Sequence, residues 1–166
     1  MAENFKVAVI TSSDSGYRGE REDKSGPFIV DFAENAGFEV VHTILLPDDK
    51  EMLSAEMSRI CDNGIADLIL TTGGTGFSPG DVMPEATKAI AEKEVPGIPE
   101  AMRYFSLQIT GRAMLSRAAA AIRKQTLIVN MPGSPKAVAE CLEYILPHLT
   151  HGLEILTEKT SNCARK

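Results

Sequence analysis

The sequence predicts an α/β fold in three layers, a mostly parallel sheet with helices on both faces. Three observations lead there. Residues 5–10, 67–72 and 126–131 are short runs rich in Val, Ile and Leu, the composition of strands buried on both sides. Stretches with apolar residues at helical spacing fall between them, and strands that alternate with helices form βαβ units. The chain has 166 residues, 43% hydrophobic and 24% charged, an ordered globular balance. That length suits one domain over residues 1–166 and is too short for two ordinary ones.

Residues 5–10 run into Thr11-Ser12-Ser13-Asp14-Ser15-Gly16, a strand ending in a loop that continues to Lys24. Ser25-Gly26-Pro27 then supplies a capping hydroxyl and an early-helix Pro, and Phe28, Ile29, Phe32, Ala33 and Ala36 repeat at helical spacing until Gly37. Residues 38–46 form a second strand that stops at Pro47. Asp48, with Glu51 three residues on, resembles a capping box opening a helix that carries Met52, Leu53, Met57, Ile60 and Cys61. Residues 67–72 are a third strand, followed by a long loop over 73–81 and a helix from about Val82; another helix starts near Pro99. Residues 111–123, with Ala118 to Ala121, have high helix propensity without an apolar stripe and are read as helix. After the last strand, Pro132-Gly133-Ser134-Pro135 leads into a helical tail from Lys136 to about Thr157, broken at Pro147.

Seventeen Lys and Arg against 23 Asp and Glu give a net charge of −6. The pI near 5.1 argues against a broad nucleic-acid surface, so the expected partner is small. Cys61, Cys141 and Cys163 are widely spaced and odd in number, which fits neither a disulfide framework nor a CxxC site. No leader-like segment and no apolar run near the roughly 20 residues of a membrane span is present, and a cytoplasmic protein without membrane contact is expected.

In such sheets ligands bind outside the carboxyl ends of the strands. The loops there, residues 11–16, 73–81 and 132–135, are all rich in Gly, Ser, Thr, Pro or Asp. Gly73-Gly74-Thr75-Gly76 lets backbone N–H groups approach an anion, with Thr71 and Thr72 nearby. It is neither a Walker A loop nor a dinucleotide fingerprint, because no Gly-Lys-Ser/Thr follows and Pro79 stands where the third Gly would be. A flexible turn with positive φ would use the same glycines.

Asp48 and Asp81 each fit a helix N-cap, and Asp14 an Asx-turn; beside the glycine loop, Asp81 also suits Mg²⁺, which takes one or two carboxylates plus substrate phosphates. Ser116-Arg117 with Arg112, Arg123 and Lys124 forms a basic cluster that could receive phosphate or simply face solvent. Ser25 and the 132–135 turn fit caps, and His148 and His151 lack a third metal ligand.

Taken in order, Thr71-Thr72-Gly73-Gly74-Thr75-Gly76, Asp81-Val82-Met83-Pro84-Glu85-Ala86-Thr87, Leu115-Ser116-Arg117 and Asn130-Met131-Pro132-Gly133-Ser134-Pro135 closely resemble the MogA/MoaB family and the gephyrin G domain. The resemblance runs from Val7 to about His151. It implies a molybdopterin-binding fold, usually trimeric, and the transfer of AMP from Mg·ATP to the terminal phosphate of molybdopterin. By position it implies Asp48 and Asp81 as catalytic acids, and Gly73, Gly74, Thr75, Gly76, Gly133 and Ser134 as pterin-phosphate contacts; Asp81 is then expected to hold the metal, with Asp48 supporting it or orienting the nucleophile. Ser13 and Asp14 in the first loop, Ser25 in the 23–27 segment and Ser116 join the binding set. A homotrimer and other proteins of molybdenum cofactor biosynthesis are the implied partners. Two positions depart from the family pattern, Gly80 where Arg often stands and Met83 where Thr often stands, which leaves a phosphate contact open to loss. A non-catalytic molybdopterin carrier or scaffold of the MoaB type shares the glycine loops; the intact Asp48 and Asp81 favour the enzyme. A structural trimer domain without ligand fits three ligand-type loops poorly.

Overall fold

The computed structural model describes residues 4–158. Six strands form one sheet in the order β2-β1-β3-β6-β5-β4. Of these, β1 (Lys6–Ser12), β2 (Glu39–Leu46), β3 (Leu68–Thr72) and β6 (Thr126–Met131) run parallel, and β5 (Ala120–Arg123) and β4 (Lys93–Glu94) complete one edge antiparallel. The helices are α1 (Asp14–Tyr17), α2 (Ser25–Asn35), α3 (Lys50–Asp62), α4 (Met83–Ile90), α5 (Gly97–Leu107) and α6 (Pro135–Leu156).

Successive side chains of a strand point to opposite faces, and the sheet accordingly divides two cores. Val7, Val9, Leu68, Leu70, Leu127 and Val129 pack on one face with α2, α5 and α6, whereas Ala8, Ile10, Ile69 and Ile128 pack on the other with α3 and α4. Both faces are therefore covered. This is the expected three-layer, mostly parallel architecture, and it explains why the central strands read as continuous apolar runs.

Several local readings need correction. Residues 111–123 are not one helix: a short 3-10 turn over Gly111–Leu115 gives way to β5, which pairs with β6 through the two-residue turn at Lys124 and Gln125. Ladder bonds to a central strand outweigh the helix propensity of the alanine run. The helix after Pro47 is capped by Asp49, whose carboxylate accepts from Met52 N–H at 2.8 Å, so Asp48 is not the cap. Ser25 is likewise inside α2, whose N-cap position is Lys24 without a side-chain bond; Asp23, one residue earlier, accepts from the amides of Ser25 and Gly26 at 3.1 and 3.0 Å. The loop after β1 contains the single turn α1, capped by Ser13. α6 continues through Pro147, because Leu142, Ile145, Leu146, Leu149 and Leu153 hold one buried stripe across it. Cys61 and Cys141 are free and buried, and burial pushes the Cys61 thiol up to about 11; Cys163 lies outside the described residues. No helix among the described residues is long and apolar enough to cross a membrane.

One buried polar node joins the sheet to α4. Asn130, fully buried, donates to Thr71 Oγ1 at 3.1 Å and Thr87 Oγ1 at 2.9 Å, and accepts from Ala119 N–H at 3.1 Å. Asn130→Leu keeps the branched side-chain skeleton but strands these partners, each orphan costing about 1–3 kcal/mol. A loss of about 3 kcal/mol in urea unfolding is expected, and a loss below about 1 kcal/mol would mean that the node is dispensable.

Candidate functional site

The parallel strands all end at one edge, and there the chain encloses a cavity of about 670 Å³. Its wall is built from Thr11, Ser12 and Ser13 at the end of β1, Thr72 and Gly73 at the end of β3, and Gly133 to Pro135 after β6, with residues 21–25 leading into α2. All three loops singled out in the sequence thus meet. Hydroxyl groups tie the wall together: Thr72 Oγ1 donates to the Pro132 carbonyl at 2.6 Å, Ser25 Oγ to the Gly133 carbonyl at 2.7 Å, and Thr11 Oγ1 to Asp23 Oδ2 at 2.7 Å. A Cβ on Gly26 would displace the Asp23 carboxylate and the Thr11 hydroxyl from their hydrogen-bonded positions.

The acids lie beside this cavity. Asp48 and Asp14 clasp each other reciprocally: Asp48 N–H donates to Asp14 Oδ1 at 2.9 Å and Asp14 N–H to Asp48 Oδ2 at 3.2 Å. Asp14 is therefore engaged with the β2–α3 connection, not with an Asx-turn in its own loop. The other Asp48 oxygen accepts from Ser12 Oγ at 2.5 Å. Asp81 does not cap α4, whose N-cap position is Val82 without a side-chain bond. Its Oδ2 instead accepts from Ser78 N–H at 3.0 Å, and the Asp81 amide donates to the Ser78 carbonyl at 2.9 Å. A Cβ on Gly80 would stand 3.8 Å from Asp48 Cβ, so Asp48 borders the turn that carries Asp81.

Gly73 and Gly74 have φ of +89° and +70°, the region that favours glycine. A Cβ on Gly73 would penetrate the Ser12 carbonyl oxygen, so β1 and the glycine loop touch through backbone alone. The loop's carbonyls are taken by protein donors: Gly74 by Met83 N–H, Thr75 by Arg117 N–H and Gly76 by Arg117 Nε. Its amides at Gly74, Thr75 and Gly76 donate to no acceptor among the described residues, the arrangement an anion site needs. Met83 is fully buried in the core against Gly74, so position 83 faces the sheet and its departure from the family pattern removes no group from the cleft. Gly80 is exposed.

The expected basic cluster is not assembled. Arg123 pairs with Asp62 through two bonds of 2.9 Å, and Arg117 spends its guanidinium on the glycine loop and Glu85. Burial, the largest single influence, raises the Glu85 carboxyl, but the hydrogen bond from Arg117, a backbone hydrogen bond and the charges of Arg117 and Lys88 together outweigh it and hold Glu85 below the usual range. Ser116 lines a separate cavity of about 220 Å³ with Arg103 and Arg112, divided from the first by the 132–135 turn. Gly74, Thr75 and Gly76 are likewise not on the wall of the main cavity; they lie toward Asp81. Of the cations that do line it, sequence reasoning passed over Arg21 and took in Lys24 only as part of the 23–27 segment. Their signal was a basic residue on either side of Asp23 in a charged loop after the first strand.

Asp48 and Asp81 are hard oxygen donors with capacity to spare, since Asp81 Oδ1 accepts nothing among the described residues. The described residues gather no group of three or more His, Cys, Asp or Glu able to hold a metal by themselves. Two carboxylates without a full shell suit Mg²⁺, which usually completes its six oxygens with water and substrate phosphates.

A parallel α/β sheet with a polar, glycine-walled cleft at its carboxyl edge is the architecture of a protein that binds a phosphorylated small molecule. Residues 8–151 match the family described as "Probable molybdopterin binding domain", and the chain belongs to that family. It is 35% identical over 156 residues to a molybdopterin adenylyltransferase of Helicobacter pylori, covering 93% of this chain and 89% of the relative. Against the molybdopterin adenylyltransferase of Escherichia coli K12 it is 39% identical over 142 residues, covering 84% and 72%. The crystal structure of the molybdopterin biosynthesis enzyme MoaB from Thermus thermophilus superposes with a TM-score of 0.88 at 44% identity, covering 95% of this chain and 99% of that one.

Proposed function

We infer that the protein is a molybdopterin adenylyltransferase of molybdenum cofactor biosynthesis, transferring AMP from ATP to the molybdopterin phosphate. The observation that carries the reading is the convergence of three strand-end loops on one polar cavity with Arg21 and Lys24 on its wall and two acids beside it. A terminal phosphate oxygen of molybdopterin attacks the α-phosphorus of ATP; the new P–O bond forms as the α–β bond breaks, and pyrophosphate leaves with the electron pair. No covalent enzyme intermediate is required. The work of this chain is to hold two anions in line, which in favourable cases supplies roughly 7–11 kcal/mol of the barrier.

In this reading Gly73, Gly133 and Ser134 hold the pterin phosphate, the amides of Gly74, Thr75 and Gly76 donate to phosphate oxygens, and Ser13, Asp14, Ser25 and Ser116 border the two substrates. Asp81 and Asp48 hold Mg²⁺, which when bound neutralises phosphate charge. Asp48 keeps its orientation through Ser12 and Asp14. A homotrimer is supported by apolar side chains left exposed on α5 and the following 3-10 turn, with Tyr104 67% and Met114 68% exposed beside Leu107, Ile109 and Leu115. The free thiols of Cys61 and Cys141 support a cytoplasmic location.

The test is to incubate the purified protein with molybdopterin and Mg·ATP and to look for adenylylated molybdopterin by mass spectrometry. Product formation is expected. Tight molybdopterin binding without product would instead mark a carrier.

A further inference from the structure

We propose that Arg117 is a positioning residue for this transfer: it fixes the Asp81 carboxylate by locking the backbone of residues 75–81, and it does not itself bind phosphate. The catalytic part rests on the adenylyltransferase reading; the lock can be measured without it.

Residues 73–81 have no regular structure and include four glycines, so the segment is costly to order. Its tip has two internal bonds, both between Ser78 and Asp81. Every described hydrogen bond that ties residues 75–81 to the rest of the protein comes from Arg117. The Arg117 amide donates to the Thr75 carbonyl at 2.9 Å, Nε to the Gly76 carbonyl at 2.7 Å, and Nη2 to the Asp81 carbonyl at 2.8 Å. Nη1 meets the Glu85 carboxylate on α4, which anchors the fork on a regular element and neutralises its charge.

A guanidinium is suited to this because its donors radiate in a fixed plane; a lysine ammonium can reach one of these acceptors but cannot span them. Nε, Nη1 and Nη2 are all engaged, and Arg117 is absent from the wall of the main cavity. Arg117 thus acts at a distance from substrate. It holds the carbonyl of Asp81 while Ser78 N–H holds the carboxylate, and a Cβ on Gly76 would come within 2.9 Å of that carboxylate. The position of the acid is in this way set by a residue 36 positions away.

The experiment compares wild type, Arg117→Lys, Asp81→Asn and the double variant in the full chain, with two readouts. Steady-state kinetics should show Arg117→Lys lowering kcat by roughly ten- to a hundredfold, the scale of an ångström-sized misplacement, with KM for molybdopterin unchanged within about twofold. The double variant should be no slower than Asp81→Asn alone, since Arg117 acts through Asp81. Amide hydrogen exchange followed by NMR in the free protein should show Ser78 and Asp81, the two hydrogen-bonded amides of the segment, exchanging about tenfold faster in Arg117→Lys, with β1 and β3 unchanged. Unchanged exchange at Ser78 and Asp81 overturns the proposal. So does a raised KM with effects that multiply in the double variant, the signature of a direct phosphate contact. Should wild type make no product, the adenylyltransferase reading falls, and the exchange result alone upholds or overturns the lock.

Discussion

Asp81→Asn is expected to remove roughly a hundred- to a thousandfold of adenylyl transfer, the scale found when a group that stabilises transition-state charge is deleted. The fold should be indifferent to the change. Asp81 contributes one structural bond, from Ser78 N–H to Oδ2, and the amide oxygen of Asn can accept it equally well. What Asn lacks is the negative charge that Mg²⁺ requires. Two measurements on one sample separate the roles: turnover by product detection, and the midpoint of thermal unfolding. If turnover survives while the midpoint drops by several degrees, Asp81 is a loop-closing residue and the catalytic assignment is wrong.

Gly73→Ala is expected to destabilise the protein by about 2–6 kcal/mol and to abolish measurable molybdopterin binding. Two costs add at this residue. A left-handed backbone at φ +89° penalises any side chain by about 1–3 kcal/mol. The Cβ would also press into the Ser12 carbonyl, and relieving an overpacked contact costs about 1–3 kcal/mol more. The strain has nowhere harmless to go, because Ser12 also carries the hydroxyl that orients Asp48. Pushing β1 and β3 apart at this point widens the cavity wall and swings an acid together. Gly74→Ala makes the informative contrast. Its Cβ would meet Met83 Cβ at 3.3 Å, the Met83 amide nitrogen at 3.4 Å and Ser12 Oγ at 3.6 Å, contacts without overlap, so the expected stability loss is the left-handed backbone cost of about 1–2 kcal/mol with weakened but detectable binding. Equal losses for the two variants would show that the close approach to Ser12 is unimportant.

The strands that carry the site were legible because burial on both faces leaves a plain mark, an unbroken apolar run followed by small and polar residues. β1, β3 and β6 announce themselves in this way, as does the convergence of their following loops. β5 does not. Alanine is compatible with helix and strand alike, and Ala120 and Ala121 become strand only because Val129 and Ile128 stand opposite them, a fact of tertiary pairing. The acids show the same divide. Two adjacent aspartates follow Pro47, and nothing in local sequence tells that Asp49 serves the helix while Asp48 turns toward Ser12 and Asp14. Arg117 stood out by its charge, yet its partners are mostly backbone carbonyls, which leave no trace in the sequence. Its motif could be noticed; its role needed coordinates.

The order of the strands in the sheet has a consequence for how the chain is made. Among the described residues β6 is the last strand to leave the ribosome, and it occupies an inner position between β3 and β5. Until residue 131 has emerged, β3 presents an unsatisfied apolar edge, the kind of template on which nascent chains associate wrongly. The Pro132–Pro135 wall of the ligand cavity follows directly behind. Closure of the sheet and completion of the cavity wall thus mature at the same moment in synthesis, before α6 has emerged to cover them.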